Sequence, residues 1–535
     1  MTPITDNESA ACAKYEIERA LLSGTNWQLA DGNTLAVMLE AGHYEFSVEW
    51  SKLIFAWWNE EQSQSWQVTA YEIDEAELCL KATRGMGRES VTFTLRDPAR
   101  WRTRPRLDEL TATQRRSDYA AMLVGLIASR ISNVQVLSVS TRGTRATQLP
   151  APYLRLKLKV SGESILAIGV NGGEAQTEID GIVTAGIVWL AGFNERRRGK
   201  QRAQRLWLCV PRDRAQTVIE RLTFIDVSHL GARVECFEVD EEGAELTAVR
   251  PVTQDELLDA HPRELHWPRE AVKAGRWRER IVSLAPDVIE VCERLNHQAE
   301  SYAIHGLEFA RTSGQVRDRV SFGVMSSPLK NEAQRSWTGN SLMESHASTT
   351  LTETNFVELE QLVREIVAHR CAQANDRRHP FYRLRSEAWL ESILRREIRA
   401  LDLTLNEQCV YSQIPAWRAD ERSVIDLLTI NHQGRLVVIE IKAAEDAHLP
   451  LQGLDYWLRV EQARVRGEFE RRGLFPGFVL ANESPLLYLV APRLRFHRSF
   501  SIVARCLSSQ IEAYRLGLNA DWRAGVRVHA HERVN

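Results

Sequence analysis

The sequence predicts a multidomain α/β protein. Its 535 residues are enough for about three or four domains. The composition, 44% hydrophobic and 26% charged, is that of folded protein and excludes a disordered chain, a collagen-like fibre and a membrane bundle. The hydropathy pattern also changes along the chain, from strict alternation near the N-terminus to strand-like runs interleaved with helix-like ones. Four regions follow: a β-rich domain over 1–104, an α/β domain over 105–250, a helical connector with a Ser/Thr-rich loop over 251–376, and a second α/β domain over 377–535.

Between about 33 and 100 the runs TLAVMLEAG, YEFSVEW, KLIFAWW, WQVTAYEI, ELCLKAT and SVTFTLR alternate apolar and polar residues, separated by Gly, Asn and Asp. That pattern predicts an antiparallel meander or small barrel. Its Trp57, Trp58 and Trp66 either fill the core or stack on bases. TATQRRSDYAAMLVGLIASRI then has helical spacing and precedes the strand-like YLRLKLKV and SILAIGV. The apolar run Gly181–Phe193 is too short for a bilayer, which needs about 20 apolar residues, and is read as a buried helix. RLWLCVP continues as a strand and RAQTVIERLTFI as a helix.

In the connector, GRWRERIVSLAPDVIEVCERLNHQ is read as helical and MSSPLKNEAQRSWTGNSLMESHASTT as an exposed loop. FVELEQLVREIVAHRCAQA is an amphipathic helix closed by Arg377–Pro380. Beyond it come the helix SEAWLESILRREIRAL, the strands SVIDLLTI and RLVVIEIKA joined by NHQG, the long helix LPLQGLDYWLRVEQARVRGEFERRG, the strand SPLLYLVAP, and a final helix and strand within RSFSIVARCLSSQIEAYRLGL.

The N-terminus lacks the apolar core of a signal peptide. The eight cysteines include no CxxC pair, so no zinc site or disulfide framework is expected, and a reducing cytoplasm is the default setting. His529 and His531 have the spacing of a strand rather than of a metal site. No GxxxxGK[ST] loop is present, so the chain carries no such ATP-binding motif.

Chemistry concentrates at Asp426, Glu440 and Lys442. Alternate side chains of a strand share a face, so Glu440 and Lys442 point the same way. If the two strands form a hairpin whose loop has an odd number of residues, or a bulge, Asp426 lies opposite Glu440. Burying three ionisable groups there costs several kcal/mol unless a partner compensates. A divalent cation would do so: two carboxylates and a main-chain carbonyl are hard oxygen ligands suited to Mg²⁺ or Mn²⁺. The lysine would then sit beside a metal-bound water. A Glu440–Lys442 pair alone is an ordinary strand-end salt bridge. Three further features raise its interest: the aspartate one strand upstream, Gln452 and Tyr456 one turn apart on the next helix, and Glu387 and Glu391 one turn apart on the preceding helix.

The order helix-Glu, strand-Asp, Glu-x-Lys strand and Gln-xxx-Tyr helix resembles the PD-(D/E)XK, or restriction-endonuclease-like, nucleases, and is most similar to their RecB-type and NucS-type branches. The resemblance covers about the last 155 residues. It implies a central mixed sheet flanked by helices, metal ligation by Asp426, Glu440 and the carbonyl of Ile441, and a catalytic role for Lys442. It further implies that Gln452 and Tyr456 support the site and contact DNA, and that Glu387, or else Glu391, is the helix acid; Leu390 makes Glu387 the better match. Ile425 stands where the family often has proline. His448 either reaches phosphate or is a surface-loop residue. Arg459, Arg464 and Arg466 either face the DNA backbone or solvate the outer helix face.

The middle domain echoes the last one. SILAIGVNGGEA aligns with RLVVIEIKAAED, IDGIVTAGIVWLAGF with LPLQGLDYWLRV, and RLWLCVP with LLYLVAP. This alignment puts Gly169 at the position of Glu440 and Asn171 at that of Lys442, so the repeat would be a degenerate nuclease-like fold. The alternative is two ordinary α/β segments.

The expected function is a Mg²⁺-dependent nuclease acting on DNA, in a repair or phage-defence setting, with no membrane partner and room for a homodimer or an accessory protein. The alternative is an inactive nucleic-acid-binding or scaffold protein on the same fold. The net charge of −3 argues weakly against DNA until it is divided. From Arg377 onward there are 24 Lys and Arg against 19 Asp and Glu, so the last domain is mildly basic.

Overall fold

A computed structural model describes residues 2–4, 6–21, 26–31, 34–40, 44–49, 52–58, 63–73, 77–84, 89–96, 107–141, 152–259, 265, 275–293, 300–313, 319–324, 349–418 and 421–535. It divides into two compact units, one of Met1–Ala112, Phe309–Arg311 and Arg319–Leu362, the other of Thr113–Glu308, Thr312–Asp318 and Val363–Asn535. Its four sheets and flanking helices make it mixed α/β, as the sequence predicts.

The first unit opens with β1 (Thr2–Pro3) and α1 (Asn7–Leu21), a helix the alternation pattern does not announce. Asp6 caps it, accepting from the Ser9 N–H at 2.8 Å, and Ala10, Ala13, Ile17 and Leu21 form its buried stripe. Then come β2 (Asn26–Asp31), β3 (Thr34–Glu40), β4 (Tyr44–Glu49), β5 (Lys52–Trp58), β6 (Ser63–Ile73), β7 (Glu77–Arg84) and β8 (Glu89–Arg96). They form one antiparallel sheet in the order β3-β2-β8-β7-β6-β5-β4, with β1 on β6, so β4 to β8 are the expected meander. Trp57 and Trp66 are buried in its core, and Trp66 meets Phe93 edge to face. Base stacking by these two is thereby excluded; the side chain of Trp58 lies outside the described residues.

The middle domain has α2 (Leu107–Arg130), β9 (Val134–Ser140), β10 (Leu154–Val160), β11 (Glu163–Gly169), α3 (Gln176–Glu195), β12 (Arg205–Pro211), α4 (Gln216–Leu222), β13 (Arg233–Asp240) and β14 (Glu245–Ala248). Its sheet runs β14-β13-β12-β11-β10-β9, with only the β11–β12 and β12–β13 pairs parallel.

The connector departs from the helical expectation. After α5 (Gln254–Asp259), α6 spans only Arg278–Val282, because Pro286 cannot continue a helix. The β-branched run beyond it forms β15 (Ile289–Glu293), which pairs antiparallel with β16 (Glu300–Ile304). The strands β17 (Leu307–Ser313), β18 (Arg319–Phe322) and β19 (Thr349–Thr350) follow, then α7 (Phe356–His369) and α8 (Pro380–Arg383). Most of the expected Ser/Thr-rich loop, residues 325–348, lies outside the described residues.

The last domain comprises α9 (Ser386–Arg396), β20 (Tyr411–Arg418), β21 (Glu421–Ile430), β22 (Leu436–Ile441), α10 (Leu449–Val465), α11 (Glu468–Arg471), β23 (Leu486–Pro492), α12 (Phe500–Ala504), β24 (Ala513–Leu518) and β25 (Val528–Arg533). The long helix expected to reach 473 breaks at Gly467, whose φ is 64°. The sheet order is β20-β21-β22-β23-β24-β25, with only β22–β23 and β23–β24 parallel. This is the middle sheet's order and sense, strand for strand. One apolar layer, including Ile182, Leu190 and Val218 with Leu454, Trp457 and Val503, joins the helices of the two sheets. Among the described residues no helix is long and apolar enough to cross a membrane, and all eight cysteines are unbridged.

Candidate active site

The site begins with the β21–β22 hairpin. Its connection is Asn431–Arg435, five residues, the odd number that the pairing requires. The Asn431 Oδ1 accepts from the N–H groups of Gln433 and Arg435, both at 3.0 Å, and Gly434 takes φ 78° where a Cβ would strike the carbonyl oxygen of Val479. The register then sets Leu427 opposite Ile439. Continued one step, that register brings Asp426 to the position opposite Glu440. There the ladder ends, because the Asp426 carboxylate itself accepts the Ile441 N–H at 2.9 Å.

Lys442, two residues beyond Glu440, returns on the same face and donates to the Glu440 Oε1 at 2.7 Å. Asp426, Glu440 and Lys442 are 6%, 0% and 6% exposed. Burial works against the Lys442 ammonium. The carboxylates of Glu440, Glu387, Asp426 and Asp446 together outweigh it and hold its pKa well above the usual lysine range. The arrangement therefore keeps one fixed cation among several carboxylates.

The other sequence-marked residues separate into groups. Glu387, in the first turn of α9, contributes to the field on Lys442. Glu391 is buried, not solvated, and accepts from the Gln413 Nε2 at 2.9 Å. Gln452 and Tyr456 lie one turn apart on α10, which packs on β22 and β23. Tyr456 is buried in the apolar layer, and the Gln452 Oε1 is buried without a hydrogen-bond partner. His448 is half-buried, not a loop residue in water, and its Nδ1 lies 3.2 Å from the Thr184 Oγ1 of the middle domain.

The arginines of α10 and its C-terminal end are not free for phosphate. Arg459 pairs with Glu220 at 2.7 Å, Arg464 with Glu461 at 2.7 Å, and Arg466 with Glu468 at 2.8 Å. Two residues escaped the sequence reading. Asp446 both acts on Lys442 and accepts from the His448 N–H at 2.7 Å; its place just after Glu-x-Lys was the available signal. Asp455, beside Tyr456, receives a buried two-pronged contact from Arg221, at 3.0 and 2.9 Å. No local pattern foretells a partner 234 positions away.

A hard divalent cation fits this donor set. Asp426, Glu440 and the Ile441 carbonyl would supply oxygens, and the orphaned amide oxygen of Gln452 is a further donor on the adjoining helix. Among the described residues no cluster of three or more His, Cys, Asp or Glu forms a conventional metal cage. The oxygen donors the hairpin edge offers are thus two carboxylates and a main-chain carbonyl, short of such a cage.

The middle sheet supplies an internal comparison. The Lys442 N–H donates to the Val490 carbonyl, and the Val170 N–H to the Cys209 carbonyl; both acceptors lie two residues before a strand-ending proline. This matches Val170 to Lys442 and Ile168 to Glu440. Arg155, opposite Ile168, then matches Asp426. The alignment by sequence, which chose Gly169 and Asn171, was one residue out. Gly169 faces α2, where a Cβ would lie 2.9 Å from Leu123 and Tyr119 atoms, and Asn171 lies beyond the strand. In either register the middle sheet lacks the carboxylates and the lysine. Scans against protein-family models and against curated proteins find no match to this chain.

Proposed function

We propose that the last domain is a Mg²⁺- or Mn²⁺-dependent nuclease of the PD-(D/E)XK type that hydrolyses phosphodiester bonds of DNA. The observation that carries this reading is the convergence of Asp426, Glu440, Ile441 and Lys442 at one buried hairpin edge. Without a functional reason, burying two carboxylates and an ammonium at that edge only costs stability. A bound cation would polarise the phosphodiester and lower the pKa of a coordinated water.

The chain's own residues have distinct parts. Asp426 and Glu440 would hold the ion, with Asp426 fixed in place by the Ile441 N–H. Lys442, placed beside that ion, would offset charge that develops on the phosphate. Glu440, with Glu387, Asp426 and Asp446, favours its ammonium form. Gln452 and Tyr456 stand on the helix that closes over the sheet. The 24 basic against 19 acidic residues from Arg377 onward suit a polyanionic substrate, and a DNA-repair or phage-defence setting is consistent with this chemistry.

The test is cleavage of a labelled panel of single-stranded, duplex and branched DNA and of RNA, with Mg²⁺, Mn²⁺ or EDTA. Metal-dependent cutting of DNA that disappears in Glu440→Gln is expected. Binding without cutting under every metal condition would instead favour an inactive nucleic-acid-binding protein on the same fold.

A further inference from the structure

The two sheets of the second unit are joined as two halves of a dimer are. The crossover helix of the middle sheet, α3, packs on α12 of the last domain, and the crossover helix of the last domain, α10, packs on α4 of the middle one. Matched by position, α3 corresponds to α10 and α4 to α12, so each contact is the reciprocal of the other. Between them, the segments that follow α4 and α12 meet as an antiparallel bridge of Ile225 with Leu507. The Asp226 N–H donates to the Cys506 carbonyl at 2.7 Å and the Ser508 N–H to the Phe224 carbonyl at 2.8 Å. An antiparallel bridge is two-fold about its own centre, and reciprocal helix contacts are the mark of an isologous interface.

The same symmetry reaches into the packing of each half. Gly186 lies where a Cβ would meet Leu206, Leu208 and Ile168, and Gly453 where one would meet Leu487 and Leu489. The matched strand positions Leu206 with Leu487, and Leu208 with Leu489, thus each face a helix glycine. The halves are fixed against one another by buried ion pairs, Arg221 with Asp455 and Glu220 with Arg459. This chain is an internal pseudo-dimer.

A symmetric dimeric endonuclease meets the two antiparallel strands of a duplex with two equivalent sites, because the dyad of the protein matches that of the DNA. Here the second place holds Arg155, Ile168 and Val170 where the first holds Asp426, Glu440 and Lys442. The aspartate's counterpart has the opposite charge, and the other two counterparts cannot bind a cation or move a proton.

From this we infer that one chain cuts one strand of a duplex per encounter, the middle half serving as the non-cutting member of the pair. The inference rests on the nuclease reading above and goes beyond it by fixing the product. In the cut, a water oxygen adds to phosphorus and the bond from phosphorus to one neighbouring sugar oxygen breaks. The proton lost by the water balances the one gained by the leaving alcohol.

The experiment uses the full-length protein on supercoiled plasmid with Mg²⁺, sampled before most of the plasmid has been cut once. All early product is expected as open circle, with linear DNA appearing only after a lag. Glu440→Gln, and separately Lys442→Met, are expected to lose the open circle as well, since no second site remains to nick. Linear product without an open-circle precursor would overturn the inference while leaving the nuclease reading intact, whereas residual nicking in both folded variants would overturn the inference together with the assignment of cutting to the Asp426–Glu440–Lys442 edge. No cutting of any DNA in any metal would remove both. A readout independent of turnover is titration calorimetry with Mn²⁺ alone. Asp426→Asn/Glu440→Gln should lose all the site-binding heat, and heat retained there would place a second metal site elsewhere and count against the inference.

Discussion

The middle sheet and the last sheet have the same strand order, the same parallel and antiparallel pairs and a crossover-helix glycine over the same matched pair of strand leucines. They differ at the hairpin edge. One edge is an aspartate, a glutamate and a lysine; the other is an arginine, an isoleucine and a valine. The difference teaches that the fold sets out the positions and three side chains decide whether they carry chemistry. It also accounts for an energetic contrast. Ile168 and Val170 are fully buried apolar residues that stabilise their edge, whereas Glu440 and Lys442 hold theirs only while paired.

The contrast can be tested first at the pair itself. Lys442→Met leaves the Glu440 carboxylate buried without its cation, and a loss of about 3–5 kcal/mol is expected. Thermal unfolding should show that loss in metal-free buffer, with most of it restored in Glu440→Gln/Lys442→Met. Val170→Ala, at the matching position, should lose only about 2 kcal/mol by comparison, and with no partner whose substitution restores it. Equal losses at the two positions would erase the distinction.

The interface between the halves provides a second test. Arg221 is fully buried, held by Asp455 and by the Asp180 carbonyl, and the field of Asp455 and Asp180 raises its pKa against the effect of burial. Arg221→Met should destabilise the second unit by roughly 3 kcal/mol and Arg221→Met/Asp455→Leu by much less. If the double variant is no better than the single one, the pair is not what holds the halves.

Smaller effects sharpen the equivalence of the two crossover helices. A Cβ at Gly453 would lie 2.5 Å from a Leu489 methyl, and one at Gly186 would lie 3.0 Å from a Leu208 methyl. Gly453→Ala should cost about 1–3 kcal/mol in urea unfolding, and Gly186→Ala less, both by crowding a full core. The last test concerns pH. Burial, with Arg396 and Arg370 nearby, pushes the His305 pKa down to about 4, and its ring stacks on Trp389 of α9. The unfolded chain protonates this histidine at higher pH than the native one does. Stability should therefore fall as pH drops from about 6.5 to about 4, and His305→Asn should flatten the dependence of melting temperature on pH in that window.

Much of this was legible in the sequence. The meander, the order of the middle and last domains, the β21–β22 hairpin and the shared face of Glu440 and Lys442 all follow from periods of two and 3.6 residues. What escaped has a physical cause in each instance. The 275–298 segment carries enough Leu, Ile and Val to pass for a helix, but Pro286 and a strand partner override that pattern. The sequence alignment falls on Gly169 and Asn171 because apolar runs of equal length slide by one residue without penalty in a sequence. In a sheet the same slip exchanges the α2 face for the α3 face. Arg459, Arg464 and Arg466 looked available to DNA because their acidic partners, Glu220 above all, lie on other elements or other turns.

The most direct measurement compares the two edges side by side. Single-turnover DNA cleavage with Mg²⁺ is followed for Asp426→Asn, Glu440→Gln and Lys442→Met, and for Ile168→Val and Val170→Ala, each checked for folding by circular dichroism. The expected result is a loss of about a thousandfold or more in each of the first three and rates within about twofold of the unsubstituted chain in the last two. Cleavage that survives the first set, or is lost in the folded second set, would contradict the assignment of the chemistry to the Asp426–Glu440–Lys442 edge.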